Sequence, residues 1–192
     1  MTKIENIKQK VATFPLERGG SNFKTHYLIE QQSILRYKPT LLVIIISTII
    51  PFIGLTVLAY QIIIYKAIIF DMNWISILIS FTLMGIGLYL IEQVFRPRIF
   101  DKTKSMFYGN ITKKSNRNTF PLKNIVAIQI IGEYVENDNG SFRSFELNLV
   151  LDNCSRRNVI DHNNLKSIIK DAKIISDFLG VPIWHATSHL EK

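Results

Sequence analysis

Two long runs without a charged residue constrain this chain more than any other feature. From Leu41 the sequence reads LLVIIISTIIPFIGLTVLAYQIII to Ile64, and from Trp74 it reads WISILISFTLMGIGLYLI to Ile91. A bilayer core about 30 Å thick needs roughly 20 apolar residues in helical form. A buried helix of a soluble protein seldom lacks a polar face over such a length. The runs therefore predict two membrane-spanning helices, at about 41–64 and 74–94, within a transmembrane hairpin over residues 39–95. Some forty polar or mixed residues precede the first run, too many for the n-region of a signal peptide.

The lysines and arginines predict the orientation. The N-terminal segment carries Lys3, Lys8, Lys10, Arg18, Lys24, Arg36 and Lys38, and the second run is followed by Arg96, Arg98, Lys102 and Lys104. Between the runs stand only Lys66 and Asp71. Both termini are expected in the cytoplasm, with Tyr60, Tyr65, Phe70 and Trp74 forming an outer aromatic belt. Cys154, the single cysteine of the 192 residues, then lies in a reducing compartment, where a free thiol is expected.

Gly54, Gly85 and Gly87 suit close approach of the two spans. Ser47, Thr48, Ser76, Ser80 and Thr82 are candidates for bonds across helices or to another subunit, so a homo-oligomer is compatible with the pattern. No charge lies in mid-span, which argues for an anchor rather than an ion path.

Residues 96–192 read as a small cytoplasmic domain of short strands closed by a helix. RPRIFD, SMFYGN and IVAIQIIGEYVE are strand-like, with Gly132 as an expected bulge, and Asp138-Asn139-Gly140 is a hairpin signal. In FELNLVLD, Phe145, Leu147, Leu149 and Leu151 alternate with Glu146, Asn148, Val150 and Asp152, a period of two that predicts one buried and one mostly polar face. Asp152-Asn153-Cys154-Ser155 is turn chemistry, and RRNVID returns as a strand. Cys154 and His162 thus fall at opposite ends of that strand, too far apart for a nucleophile–base pair, and Asp161 suits a helix start. No catalytic residue, cofactor or metal ligand set is predicted. The apolar stripe Leu165, Ile168, Ile169, Ala172, Ile175, Phe178 and Leu179 predicts an amphipathic helix over about 164–179, capped by Asn163 or Asn164 and ended by Gly180. His185 and His189 fall beyond it, in an expected frayed tail.

Before the first span, NFKTHYLIE and SILRYKP read as a hairpin around Gln31-Gln32. Residues 1–38 are expected to join the later sheet, making the membrane hairpin an insertion within one β domain.

Strands closed by one C-terminal helix resemble the pleckstrin-homology-like architecture, so the fold class expected is an α+β membrane protein with a two-helix hairpin and a PH-like antiparallel β domain. Three motifs, PLERGGSNFKTH (15–26), NIVAIQIIGEYV (124–135) and ELNLVLDNCSRRNVIDH followed by DAKIISDFLGVPIW (146–162 and 171–184), are similar to those of bacterial two-transmembrane inner-membrane proteins of uncharacterised function. Some members of such families occur at toxin–immunity loci. The resemblance implies a non-enzymatic binding protein, an immunity protein for a cognate toxin, with a structural or lipid-sensing subunit of a membrane complex as the alternative. The sequence departs from that pattern at DNCSRR, where a glycine-containing turn is typical.

Two sets of surface candidates follow. Arg36, Lys38, Arg96, Arg98, Lys102 and Lys104 flank the spans, where each basic residue near an anionic leaflet adds about 1 kcal/mol of attraction. Tyr134, Phe142, Arg143, Arg156 and Arg157, near the hairpin tips, are candidates for binding a protein partner, because aromatics and arginines dominate interface hot spots. The net charge of +8 is spread over the span-flanking segments with no reading motif, which disfavours nucleic acid.

Overall fold

The computed structural model describes residues 2–16, 20–68, 74–109, 119–137 and 140–186. The chain divides into two compact units: residues 1–38 with 97–192, and residues 39–96.

The second unit is a pair of helices, α2 (Leu41–Ile68) and α3 (Trp74–Val94), both long and apolar enough to cross a bilayer. Only 17% and 11% of their most apolar windows are buried, so the greasy surface faces outward instead of forming a soluble core. Their contact is made by small residues. A Cβ on Gly54 would stand 2.7 Å from the Ser80 carbonyl oxygen, and one on Gly87 would stand 2.2 Å from Pro51 Cδ. Gly85, expected to share this role, has nothing within 4 Å of such a Cβ and does not make the contact. Of the hydroxyls that were candidates for bonds across helices or to another subunit, those of Ser47, Thr48, Ser80 and Thr82 donate to carbonyls one turn back on their own helix. An unpaired hydroxyl in apolar surroundings is costly, and its own helix is the nearest acceptor.

The first unit contains two sheets. Strands β1 (His26–Gln31), β2 (Ile34–Pro39), β3 (Ile99–Asp101), β4 (Met106–Tyr108) and β5 (Thr119–Pro121) run in that order in a five-stranded sheet. Antiparallel pairing of β2 with β3, through Ile34–Asp101, Leu35–Phe100 and Arg36–Ile99, joins strands that precede and follow the helical hairpin in the chain. The second sheet has the order β8 (Arg156–His162), β7 (Gly140–Leu151), β6 (Ile125–Asn137) and β9 (Ile183–Ala186). Asn137 pairs with Gly140, whose φ of +128° a side chain would resist; the intervening Asp138 and Asn139 lie outside the described residues, as do Thr112–Asn118 and His189. Gly132 is not the bulge expected of it: its register with Phe145 is regular, and the irregularities fall between Ile125 and Ala127 and between Leu147 and Asn148. A Cβ at Gly132 would meet the Phe145 ring at 3.4 Å, an ordinary van der Waals contact.

The stripe on α4 (Leu165–Leu179) packs Ile168, Ala172, Ile175 and Phe178 with Leu35, Phe100, Phe107, Leu147 and Leu149 into one core. Its ends obey local chemistry: the Asn164 side chain accepts from the Ser167 N–H, and Gly180 takes a left-handed conformation at φ 70°. The part of the expected frayed tail that the structure describes is ordered: His185 lies in β9. Val181 and Pro182 lead into β9, which lies parallel to β6, so the second sheet is mixed rather than wholly antiparallel.

One helix escaped the sequence reading. α1 (Lys3–Lys10) begins with a complete capping box, Thr2 and Glu5 each bonding the other's main chain. It lays Ile7 against a small cluster that also contains Val11, Ala127, Val150 and Trp184.

Candidate functional site

The face of β6, β7 and β8 turned away from the main core carries Gln129, Ser144, Glu146, Asn148 and Arg156. Alternation places these residues on a polar face, but all five are buried, at 8% exposure or less. The cover is the N-terminal segment, and its main chain is what the sheet grips. The Leu16 N–H donates to both carboxylate oxygens of Glu146, at 3.0 and 3.2 Å. Gln129 Nε2 donates to the Ala12 carbonyl at 3.0 Å, and Arg156 Nη1 donates to the Phe14 carbonyl at 2.7 Å. Farther along, the Ser21 N–H donates to Ser144 Oγ at 3.0 Å.

The side chains of the grip support one another. Asn148 Nδ2 and Asn158 Nδ2 donate to the Glu146 carboxylate at 2.9 and 3.1 Å, and Arg156 also reaches Gln129 Oε1 at 3.3 Å. The Arg156 guanidinium lies over the Phe14 ring, 5.5 Å from its centroid. Burial lowers the Arg156 pKa from its ordinary value, and the Glu146 charge opposes that shift.

Arg156 is therefore corrected as a surface candidate. It is buried beneath the N-terminal segment, because that segment supplies the carbonyl its guanidinium needs. Its neighbour Arg157 is half-buried and donates to the Arg156 carbonyl at 3.0 Å. The other three candidates gather near the hairpin end of the β6–β7 ribbon, a few residues from the Asn137–Gly140 pair. Tyr134 pairs with Arg143 and Val135 with Phe142; Tyr134 and Arg143 are exposed, and the Tyr134 hydroxyl bonds Ser141.

Within the β unit the basic candidates fall at two ends of the β2–β3 pair. Arg36 sits on β2 opposite Ile99, and the Tyr37 N–H bonds the Arg98 carbonyl, so Arg36, Lys38 and Arg98 share one end of the β2–β3 pair. Lys102 and Lys104 occupy the turn at the other end, roughly 10 Å away along the strand. There the Lys102 N–H bonds the Ser33 carbonyl, its ammonium lies 4.2 Å from the Phe178 ring centroid, and the Lys104 N–H bonds Asp101. Arg96, in the helical unit, pairs with Glu92 at 4.0 Å.

A second polar group is enclosed in the main core. Tyr37, His162 and Asp171 are buried, and so is His26, whose Nε2 lies 3.2 Å from Arg98 Nη1. Burial, then the Asp171 charge, pushes the Tyr37 hydroxyl well up, and burial raises the Asp171 carboxyl against the pull of Lys24. Burial, then Lys24, pushes His162 down to about 4. The neutral ring accepts the Asn164 N–H at Nδ1, which ties the end of β8 to the cap of α4.

Cys154 occupies the β7–β8 turn, and His162 ends β8, so the strand holds them about 20 Å apart. Among the described residues no group of three or more His, Cys, Asp or Glu side chains is placed to hold a metal ion. Comparison with protein-family models, with curated proteins and with solved structures found no match to this chain.

Proposed function

We propose that this chain is a two-pass bacterial inner-membrane protein that holds a PH-like, non-enzymatic binding domain at the cytoplasmic surface, where it captures a protein partner. The outward-facing apolar surface of α2 and α3 carries the reading. A surface of that kind is stable in lipid and a liability in water. The positive-inside pattern assigns both termini to the cytoplasm. Two packed sheets with α4 against their core support the PH-like assignment, to which this chain adds α1 and β9. The exposed Tyr134–Arg143 pair, with Phe142 beside it, offers the aromatic and guanidinium chemistry of a binding hot spot. The resemblance noted above favours a toxin as the partner and immunity as the role.

The test has two arms. In a Cys154→Ser background, single cysteines at Lys3, Asn73 and Lys192 are challenged in intact cells with a membrane-impermeant maleimide. Labelling confined to position 73 is the expected result, and labelling of 3 or 192 overturns the topology. Affinity purification from membranes is then expected to recover one protein partner, lost in Tyr134→Ala/Arg143→Glu; if adjacent genes encode no toxin that this chain neutralises, the immunity role fails.

A second reading, a lipid-sensing subunit, draws on Arg36 and Lys38, which share one face of β2 by alternation. It predicts extra affinity for anionic over neutral vesicles that double alanine substitution removes.

A further inference from the structure

Contacts along α4 fix which end of the β unit each end of this helix occupies. The chain leaves the unit after Lys38 and re-enters it at Pro97. The end of the β2–β3 pair that carries Lys38 and Arg98 is therefore the end joined to α2 and α3. At the opposite end the Lys102 ammonium lies 4.2 Å from the ring centroid of Phe178, in the last turn of α4. Two turns earlier the Asp171 carboxyl faces the Tyr37 hydroxyl, beside the exit. The separations agree. Asp171 and Phe178 are about 10 Å apart along the helix, and Tyr37 is about 13 Å along β2 from Ser33, whose carbonyl takes the Lys102 N–H. α4 thus runs beside β2 with its N-terminus toward the exit. Leu165 lies about 9 Å beyond Asp171 in that direction, past Tyr37 and level with Pro39, where the chain leads into α2. Lys24, which precedes β1, confirms the placement: its charge acts on His162, and His162 bonds the α4 cap at Asn164.

The face that α4 exposes at this end is poorly suited to water. Leu165 is 42% and Ile169 41% exposed, one turn apart. Lys166 and Lys170, also exposed, form the adjacent row, and Lys173 follows. Like charges at this spacing repel. The first turn holds no acid, although the helix dipole favours acids there and bases in the last turn. Asp177, the exposed acid of α4, stands at the far end instead. A negatively charged surface at the exit end offsets both penalties. An apolar row beside a lysine row is also how a helix lies in a membrane interface.

We infer that the first half of α4 is a membrane-contact surface, with Leu165 and Ile169 entering the headgroup region of the leaflet into which α2 leads and Lys166 and Lys170 binding its anionic phosphates. The inference rests on the two-pass reading. It takes this face out of the surface that a protein partner can use.

The experiment uses the full chain in a Cys154→Ser background, in nanodiscs of equal parts phosphatidylcholine and phosphatidylglycerol. The fluorophore NBD is attached through Leu165→Cys, Ile169→Cys or Asp177→Cys. Quenching by a headgroup-spin-labelled lipid is expected to be at least about twofold stronger at 165 and 169 than at 177. Lys166→Glu/Lys170→Glu is expected to bring position 169 down to the level of 177, and so is replacing the phosphatidylglycerol with phosphatidylcholine. Glutamate at 166 suits a helix start, so the variant keeps its fold. Quenching at 177 as strong as at 165 and 169, or no change on charge reversal, overturns the surface. Shielding of position 165 from aqueous iodide in native membranes but not in nanodiscs shows a protein covering this face, and the lipid assignment falls. A chain that floats with lipid in a density gradient but shows no quenching overturns this inference alone; one that does not float overturns the two-pass reading with it.

Discussion

The main chain of Leu16 and the carboxylate of Glu146 meet across 130 residues of sequence, with the amide at 3.0 Å from one oxygen and 3.2 Å from the other. Glu146 is buried, and its carboxylate also receives Asn148 and Asn158. Replacing it with leucine leaves the Leu16 N–H and the Asn148 amide without that acceptor, while the exposed Asn158 keeps its bond to Asp161. Hydrogen bonds to a charged group contribute about 1.5–3 kcal/mol each, but they are not additive. Glu146→Leu is expected to destabilise the β unit by about 2–4 kcal/mol, read as a lower midpoint in urea, with faster amide exchange at Leu16. Unchanged exchange there would contradict the contact.

Arg156 serves the same segment from the neighbouring strand. Its guanidinium is buried, donates to Phe14 and Gln129, and has its pKa lowered by that burial. Arg156→Ala is expected to cost about 2–3 kcal/mol and to loosen residues 12–16. Arg156→Lys should recover less than half of this, because an ammonium cannot serve two acceptors in the plane of a guanidinium fork. Thermal midpoints of the three chains decide it.

These residues also mark where the sequence stopped being legible. Period two in FELNLVLD says which side chains share a face; it says nothing about what covers that face. The cover is gripped through main-chain atoms, so residues 12–16 carry no side-chain pattern that would announce it. Likewise β9 is four residues long and pairs in parallel with a strand more than fifty positions earlier, a contact no local signal specifies. The opposite holds for α4, whose stripe, Asn164 cap and Gly180 stop are local and are found where the spacing puts them. The α1 signal was equally local: Thr2, Glu5 and the Ile7–Val11 spacing stand in plain view, hidden only by the brevity of the helix.

A local rule is broken at Cys154, which holds φ 64° in the β7–β8 turn, where a side chain costs about 1 kcal/mol relative to glycine. Its thiol is half-buried against the cluster around Trp184, a small packing gain to set against that strain. Cys154→Gly is expected to raise stability by about 0.5–1 kcal/mol. A drop in the urea midpoint would show that the thiol's packing outweighs the backbone strain.

His162 makes stability pH-dependent. Its ring titrates near 4 in the folded chain, against 6.5 ordinarily, so between those values the unfolded chain binds more protons. Stability is therefore present above about pH 6.5 and is lost as pH falls toward 4. Asp171 acts with the opposite sign: its raised pKa favours the fold at low pH, and that contribution fades as pH rises through the shifted value. His162→Gln in an Asp171→Asn background isolates the histidine. The Asp171→Asn chain is expected to lose about 2–3 kcal/mol more than the double variant between pH 7 and pH 4. Equal losses would place the titration elsewhere.

Gly85 and Gly87 lie two positions apart on α3, and the structure assigns them opposite tolerances. A Cβ at Gly87 would stand 2.2 Å from Pro51 Cδ and 2.6 Å from the Pro51 nitrogen. The proline ring is rigid and its nitrogen is backbone, so the helices must separate. Gly87→Val is expected to cost about 1–3 kcal/mol through overpacking. Open space surrounds a Cβ at Gly85, so Gly85→Ala should be neutral or gain up to about 1 kcal/mol from helix propensity. Thermal unfolding of the two variants in the same detergent compares them directly. Equal destabilisation by both would show that the α2–α3 contact does not run along the Pro51–Gly87 line.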